Sequence, residues 1–336
     1  MIHSNFIRSL KRKLFFCRTD LRESIDSVNH DLIEASFDNI INRIWEEFCS
    51  IKKEIDCKPI FILSSPRTGS TFFYQLICKY LNVQYLTNVT EVLLHKPLLS
   101  WFISSAILNK SSGFIKCESN YGVSHGISGP TEATQLFQNW FYYKHPSEIH
   151  SADFISIDAK KDMQKTFQLI EILSGSSLIT KNTWNCFRIK ALSSAFPNAR
   201  YIHLKRNIVD SSLSTLQARK TRGNPKIIWD SASPHNLYDL QTLPSHEQVV
   251  EQQVLTNKAI IKSIPTDSSI SVDYEKLLDN PQLILKQISE FLNLDFKDSN
   301  LNLKKDLNSR RSFELSSASS DRENILKYCK KMGYIR

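Results

Sequence analysis

Long apolar runs, paired cysteines and glycine-rich tracts are all missing from this sequence. The longest uncharged apolar stretch, Pro97–Asn109, has 13 residues, short of the roughly 20 a helix needs to span a bilayer. Residues 1–16 scatter Arg8, Lys11, Arg12 and Lys13 among short apolar pieces. A charged region followed by an apolar core and a small-residue cleavage site is not formed, so no secretory signal is expected. The seven cysteines (Cys17, Cys49, Cys57, Cys78, Cys117, Cys186, Cys329) are odd in number and contain no C-x-x-C pair. They suit reduced thiols better than a disulfide frame or a zinc site, and a soluble, cytoplasmic protein is expected. With 8 glycines and 11 prolines, collagen-like and low-complexity classes are excluded. No internal repeat is visible.

What is present is an ordinary globular composition, 41% hydrophobic and 23% charged over 336 residues. That length accommodates one large domain or two of ~150 residues. The formal charge is +9, which points to an anionic partner: nucleic acid, a membrane surface or a phosphorylated ligand. Position along the chain narrows the choice. Lys181–Arg222 holds nine basic residues against the single acid Asp210, a net +8. Such a concentration suits a small ligand of several negative charges. A nucleic-acid module would rest on the net charge alone, since no zinc-finger spacing or RNA-binding signature accompanies it.

Periodicity divides the chain. From Asp20 to Ile55 apolar residues recur in steps of three and four (Ile25, Val28, Leu32, Phe37, Ile40, Ile41, Ile44, Phe48, Ile51, Ile55), which predicts one or two amphipathic helices. Their apolar face is expected to pack on the protein's own core, with a homodimer contact as the alternative. After Pro59 the pattern becomes a short apolar run, Ile60–Leu63, then a loop, then a helical segment Phe72–Leu81. A second strand and helix follow at Ala199–Leu204 and Val209–Arg219, with further strands at Ser177–Thr180 and Ser269–Val272. Short apolar strands alternating with helices predict an α/β fold with a parallel sheet covered on both faces. A last helix is expected over Asp321–Met332.

The loop Ser64-Ser65-Pro66-Arg67-Thr68-Gly69-Ser70-Thr71 lies between a buried strand and a helix. Backbone N–H groups there, with the Ser70 and Thr71 hydroxyls, form an anion cradle. The nucleotide-triphosphate P-loop needs G-x-x-x-x-G-K-[ST]; here no Lys precedes the Ser/Thr pair. A P-loop-like kinase or nucleotide-binding regulator is therefore the second choice.

Pro66–Thr71 resembles the P-[RK]-[ST]-G-[ST]-[ST] loop of sulfotransferases that use 3′-phosphoadenosine 5′-phosphosulfate (PAPS), in which it holds the 5′-phosphosulfate. The text from Phe196 to Asn207 is similar to that family's F-P-x-A-[RK]-[FY]-[IV]-x-[ILV]-x-R-[DN], and Ser214 follows Arg206 at +8. In the family this Arg and Ser hold the donor's 3′-phosphate. Leu178–Thr183 resembles a strand ending in Lys-x-Pro, with Thr183 in place of the proline. Val272–Pro281 and Ile288–Leu294 are similar to the Y-E-[DK]-L-x-x-[DN]-P and [IL]-x-x-F-L-x-[LI] segments. The Arg in the loop is closest to the bacterial and protein-tyrosine branches. The resemblance implies a P-loop-like parallel sheet flanked by helices of sulfotransferase type (58–336) behind an N-terminal helical extension (1–57). It implies PAPS as co-substrate without a metal, and a hydroxylated acceptor: glycan, lipid or small molecule.

It also implies roles. Arg67, Thr68, Gly69, Ser70 and Thr71 would bind the 5′-phosphosulfate, Arg206 and Ser214 the 3′-phosphate, and Lys181 the transferring sulfuryl group. Glu91, 24 residues after Arg67, falls roughly where the Arg-loop branches put a catalytic glutamate. Glu132 ranks second as base and His125 third, with His95 behind them. The aromatic run Phe137, Trp140, Phe141, Tyr142, Tyr143 fits an acceptor pocket or a helix core equally well. Leu98–Leu108 is read as a buried helix rather than a lid. Arg310, Arg311 and Ser312 are candidates for a loop over the nucleotide.

Overall fold

The computed structural model describes residues 30–51, 56–93, 96–108, 115, 117, 119–120, 123–142, 150–229, 231–234, 237–297 and 319–335. Five strands, β1 (Ile60–Ser64), β2 (Gln84–Tyr85), β5 (Leu178–Lys181), β6 (Arg200–Lys205) and β7 (Ser269–Asp273), make one sheet among the described residues. Its order is β2-β5-β1-β6-β7 and every pairing is parallel. A small antiparallel pair, β3 (Ser119–Asn120) and β4 (Val123–Ser124), stands apart. The four strands expected from the sequence all form. β2 was not foreseen, because two residues carry no periodicity.

The strand sequences explain the layering. β1 is buried at every position, as a central parallel strand with both faces covered must be. Its side chains alternate: Ile60 and Ile62 enter one apolar cluster, Phe61 and Leu63 the other. The first cluster is closed by α2 (Ser70–Tyr80), α10 (Tyr274–Asp279) and α11 (Pro281–Leu292), through Phe72, Phe73, Leu76, Leu277 and Leu285. The second is closed by α4 (Thr134–Phe141), α5 (Ile157–Ser174) and α6 (Ile189–Ala195), through Phe137, Phe141, Phe167 and Leu192.

A third cluster joins α7 (Ile208–Arg222), α9 (Ser245–Ser263), which follows the single turn α8 (Leu237–Leu240), and α12 (Ser319–Lys331), with Leu213, Val250 and Ile325 among its members. The expected C-terminal helix is thus α12. Its Tyr328 hydroxyl donates to Glu251 Oε1 at 3.0 Å, and Tyr334 just beyond it donates to the same oxygen at 2.8 Å. The N-terminal periodicity appears as α1 (His30–Ile51). Asp38 pairs with Lys96, and Asn42 accepts from Lys165 Nζ at 2.6 Å. Residues 1–29 and 52–55 lie outside the described residues.

α3 (Pro97–Leu108) is the helix expected over that apolar stretch. Leu99, Trp101 and Ile103 are buried and Phe102 is exposed. No described helix is long and apolar enough to cross a membrane. The aromatic run resolves toward packing: Phe137, Trp140 and Phe141 are buried, and Tyr142 is exposed. Trp140 Nε1 donates to Asp162 Oδ2 at 2.7 Å, satisfying the one polar atom such a buried indole carries. Tyr143 lies outside the described residues.

Candidate active site

The carboxyl ends of β1, β5, β6 and β7 gather the singled-out residues. The ladder pairs Ser64 with Leu204 and Lys205 with Asp273. By that register Ser65 stands level with Lys205 and Asp273, and Arg206 and Tyr274 stand together one residue higher, at the level of Pro66. Strand order reverses about β1, and ligands of open α/β sheets bind outside the carboxyl ends at such a point.

The loop leaving β1 is held in an unusual shape. Arg67 has φ 57 and Gly69 φ 83, left-handed values that cost a non-glycine residue roughly 1–3 kcal/mol. Thr68 Oγ1 donates to Ser65 O at 3.0 Å, and Ser65 Oγ donates to Gln253 O on α9 at 3.2 Å. Gly69 is required for a second reason: a Cβ there would lie 2.2 Å from Cε2 of Tyr274. The chain passes directly against that ring. α2 then starts at Ser70 with no side-chain cap and no acid in its first turn. Its N-terminus offers backbone donors and positive dipole potential toward the loop.

Around this loop the cationic side chains converge. Arg67 Nε donates to Ser214 Oγ at 3.4 Å, although the two are 147 positions apart. Arg206 Nη1 donates to Arg67 O at 3.1 Å, and its guanidinium lies 4.9 Å from the centre of the Tyr274 ring. β6 is tied to its neighbour where the chain leaves the sheet: Asn207 N donates to Glu275 Oε1 at 2.8 Å. The Asn207 side chain caps α7 by accepting from Val209 N at 2.9 Å. That cap sets the phase of the helix carrying Ser214. On the other side, Lys181 ends β5 almost wholly buried, 3% exposed. Its Nζ donates to Thr71 Oγ1 at 3.3 Å and pairs with the Glu132 carboxylate.

Thr183, standing in the proline's place, begins a short 3-10 turn, Thr183–Phe187, capped by the Asn182 side chain. Cys186 on that turn donates its thiol to Ser64 O at 3.2 Å. Burial pushes the thiol up to about 12, so it stays protonated and supplies no nucleophile at neutral pH. His203 within β6 is pushed down to about 4, chiefly by burial and then by Lys205. It is neutral and belongs to the sheet interior.

The candidate bases separate. Glu132 touches Lys181, whereas Glu91 is exposed and accepts from Thr131 Oγ1 at 2.7 Å. The two glutamates are therefore linked through adjacent residues 131 and 132, with Glu132 the nearer to the loop. His125 is exposed, on the turn that follows β4. His95, Arg310, Arg311 and Ser312 lie outside the described residues.

Two features escaped the sequence reading. Tyr274 was visible within Y-E-K-L, but its place against Gly69 and Arg206 depends on pairing between β6 and β7. The basic stretch 181–222 is also less uniform than its count suggested. Arg219 is fully buried, donating to Gln248 Oε1 at 2.9 Å and Gln252 Oε1 at 2.8 Å over the Trp229 ring. Arg188 is buried beside Asn185, over Phe141. Lys220 pairs with Asp321. Part of the charge thus holds the fold, and Lys181 and Arg206 are the members of that stretch that reach the loop.

Comparison with known proteins gives the family of the chain. Residues 59–298 match the model of the sulfotransferase family. No curated protein matches the sequence significantly. Solved structures similar to the chain include sulfotransferase STF9 from Mycobacterium avium (14% identity, TM-score 0.45, covering 85% of this chain and 80% of that one). Sulfotransferase STF1 from Mycobacterium tuberculosis H37Rv is similar at 14% identity and TM-score 0.44, covering 88% and 82%. A sulfotransferase from Alicyclobacillus acidocaldarius is similar at 10% identity and TM-score 0.37, covering 79% and 98%. The family match takes in β1, the loop that follows it and all the strands and helices that converge on it, and by that match the chain belongs to the sulfotransferase family.

Proposed function

We propose that this protein moves a sulfuryl group from PAPS to a hydroxyl of a glycan, lipid or small-molecule acceptor. The observation that carries this is the convergence of Arg67, Lys181, Arg206 and Ser214 on one strained loop at the carboxyl edge of the sheet. A ligand with phosphate at two ends fits that arrangement. The cradle of Thr68, Gly69, Ser70 and Thr71, with the Arg67 fork, suits the 5′-phosphosulfate. Arg206 and Ser214, on β6 and the helix after it, suit the 3′-phosphate.

The transfer forms a bond from the acceptor oxygen to sulfur and breaks the bond from sulfur to the bridging oxygen. The leaving phosphate gains charge, which Arg67 and the α2 N-terminus offset. Lys181 holds the sulfuryl oxygens in line with the incoming hydroxyl. The hydroxyl proton passes to the Glu91 carboxylate. No covalent intermediate is needed.

Calorimetric titration with 3′-phosphoadenosine 5′-phosphate (PAP) tests the donor assignment. Binding is expected, and Arg206→Ala should weaken it at least about tenfold, the value of a charge-assisted hydrogen bond to phosphate. No heat from the native protein, or an unchanged affinity in the variant, would falsify the donor assignment. Glu91→Gln should lower kcat on the order of 10²-fold, the lower end for general-base removal, with PAP affinity intact. An unchanged rate moves the proton to Glu132 or His125.

A further inference from the structure

We propose that Glu132 is an internal stand-in for the sulfuryl group: its carboxylate occupies the Lys181 ammonium while no donor is bound, and the arriving sulfuryl oxygens displace it. The inference rests on the donor reading above and adds a positioning residue to the same site.

Lys181 is 3% exposed, and an ammonium so enclosed costs several kcal/mol unless it is paired. Its Nζ donates to the Thr71 hydroxyl on α2 and pairs with the Glu132 carboxylate, and the Cys186 thiol on the turn after β5 lies within its electrostatic reach. Tyr74 on α2 lies within electrostatic reach of Glu132, its phenol donating to Ile179 O at 3.1 Å. Burial raises both the thiol and the phenol, so both stay neutral. The ion-pair partner of Lys181 is the Glu132 side chain.

The backbone around Glu132 is pinned by other partners than the one its carboxylate holds, Lys181. Asn182, fully buried, donates from Nδ2 to Glu132 O at 3.0 Å. Thr131 accepts from Ala133 N at 3.2 Å, and Ala133 is held at φ 47. The Glu132 side chain is 26% exposed, so it can leave Lys181 for water without moving the chain. Sulfuryl oxygens arriving at the Lys181 ammonium would lie beside the Glu132 carboxylate and be repelled by it. Donor binding is therefore an exchange at Lys181, whereas PAP, which has no sulfuryl group, leaves the pair in place.

The test is isothermal titration of PAPS and PAP, without acceptor, into the native protein, Glu132→Gln and Glu132→Asp. Glu132→Gln should raise PAPS affinity about three- to tenfold, the scale of a partly screened charge contact. PAP affinity should change less than about twofold, and this also reports that the variant is folded. Glu132→Asp keeps the charge and should keep the native ratio of the two affinities. An unchanged ratio in Glu132→Gln, or a parallel change for both nucleotides, overturns the exchange while leaving the donor reading intact. Failure of the native protein to bind either nucleotide overturns both.

Discussion

Replacing Lys181 with Met should lower kcat by about 10³-fold and leave PAP affinity within about twofold. The size is that of removing one preorganised charge donor from the reacting centre. The selectivity follows from position, since Lys181 reaches Thr71 and Glu132 and not the Arg206 and Ser214 side of the loop. Met fills the volume of the buried stem. It also leaves behind a Glu132 that is 26% exposed and able to turn to water, so the fold should tolerate the change. Steady-state turnover with PAPS beside calorimetry with PAP checks it. A kcat within tenfold of native would assign Lys181 to structure alone. An equal loss in both measurements would mean that β5 had moved.

Gly69→Ala should abolish measurable PAP binding and lower Tm by roughly 3–7 °C, about 2–5 kcal/mol at this size. Two costs add. Left-handed backbone at φ 83 costs an alanine roughly 1–2 kcal/mol. The new Cβ also meets Tyr274 carbons at 2.2 and 2.7 Å, and overpacking of a buried site costs about 1–3 kcal/mol. The loop cannot yield without carrying Arg67 and Ser70 with it. A double-mutant cycle with Tyr274→Ala separates the terms. Removing the ring should recover the overpacking part of the stability and leave the conformational part. No coupling between the two positions would show that the ring and the loop are independent.

Much of the fold was legible because a parallel sheet buried on both faces needs continuous apolar strands. Ile60–Ser64, Leu178–Lys181 and Arg200–Lys205 carry that pattern openly. Gln84–Tyr85 does not, because an edge strand of two residues takes its pairing from β5 rather than from its own side chains. The helix Thr134–Phe141 had an aromatic run that fitted two roles. Only its placement against Phe167 and Asp162 decided for packing.

The site divides in the same way. The loop from Ser64 to Thr71 could be read as an anion cradle because a strand, a tight turn and a helix start restrict residue type there, whereas Lys181, Arg206 and Ser214 were singled out by their resemblance to the sulfotransferase motifs. The constraints on that loop are local, and sequence determines them by itself. It also determined that charge gathers between Lys181 and Arg222. Only the tertiary structure decided which of those charges reach the loop after β1. Arg219 and Arg188 are turned into the interior by Gln248, Gln252, Trp229, Asn185 and Phe141, partners distributed over other elements. It likewise decided that Tyr274 closes on Gly69 and that Glu132, not Glu91, touches Lys181. Apart from Arg188 with Asn185, three positions away, each of these contacts joins residues 10 to 205 positions apart, and their meeting is set by strand order and register, which no local pattern encodes.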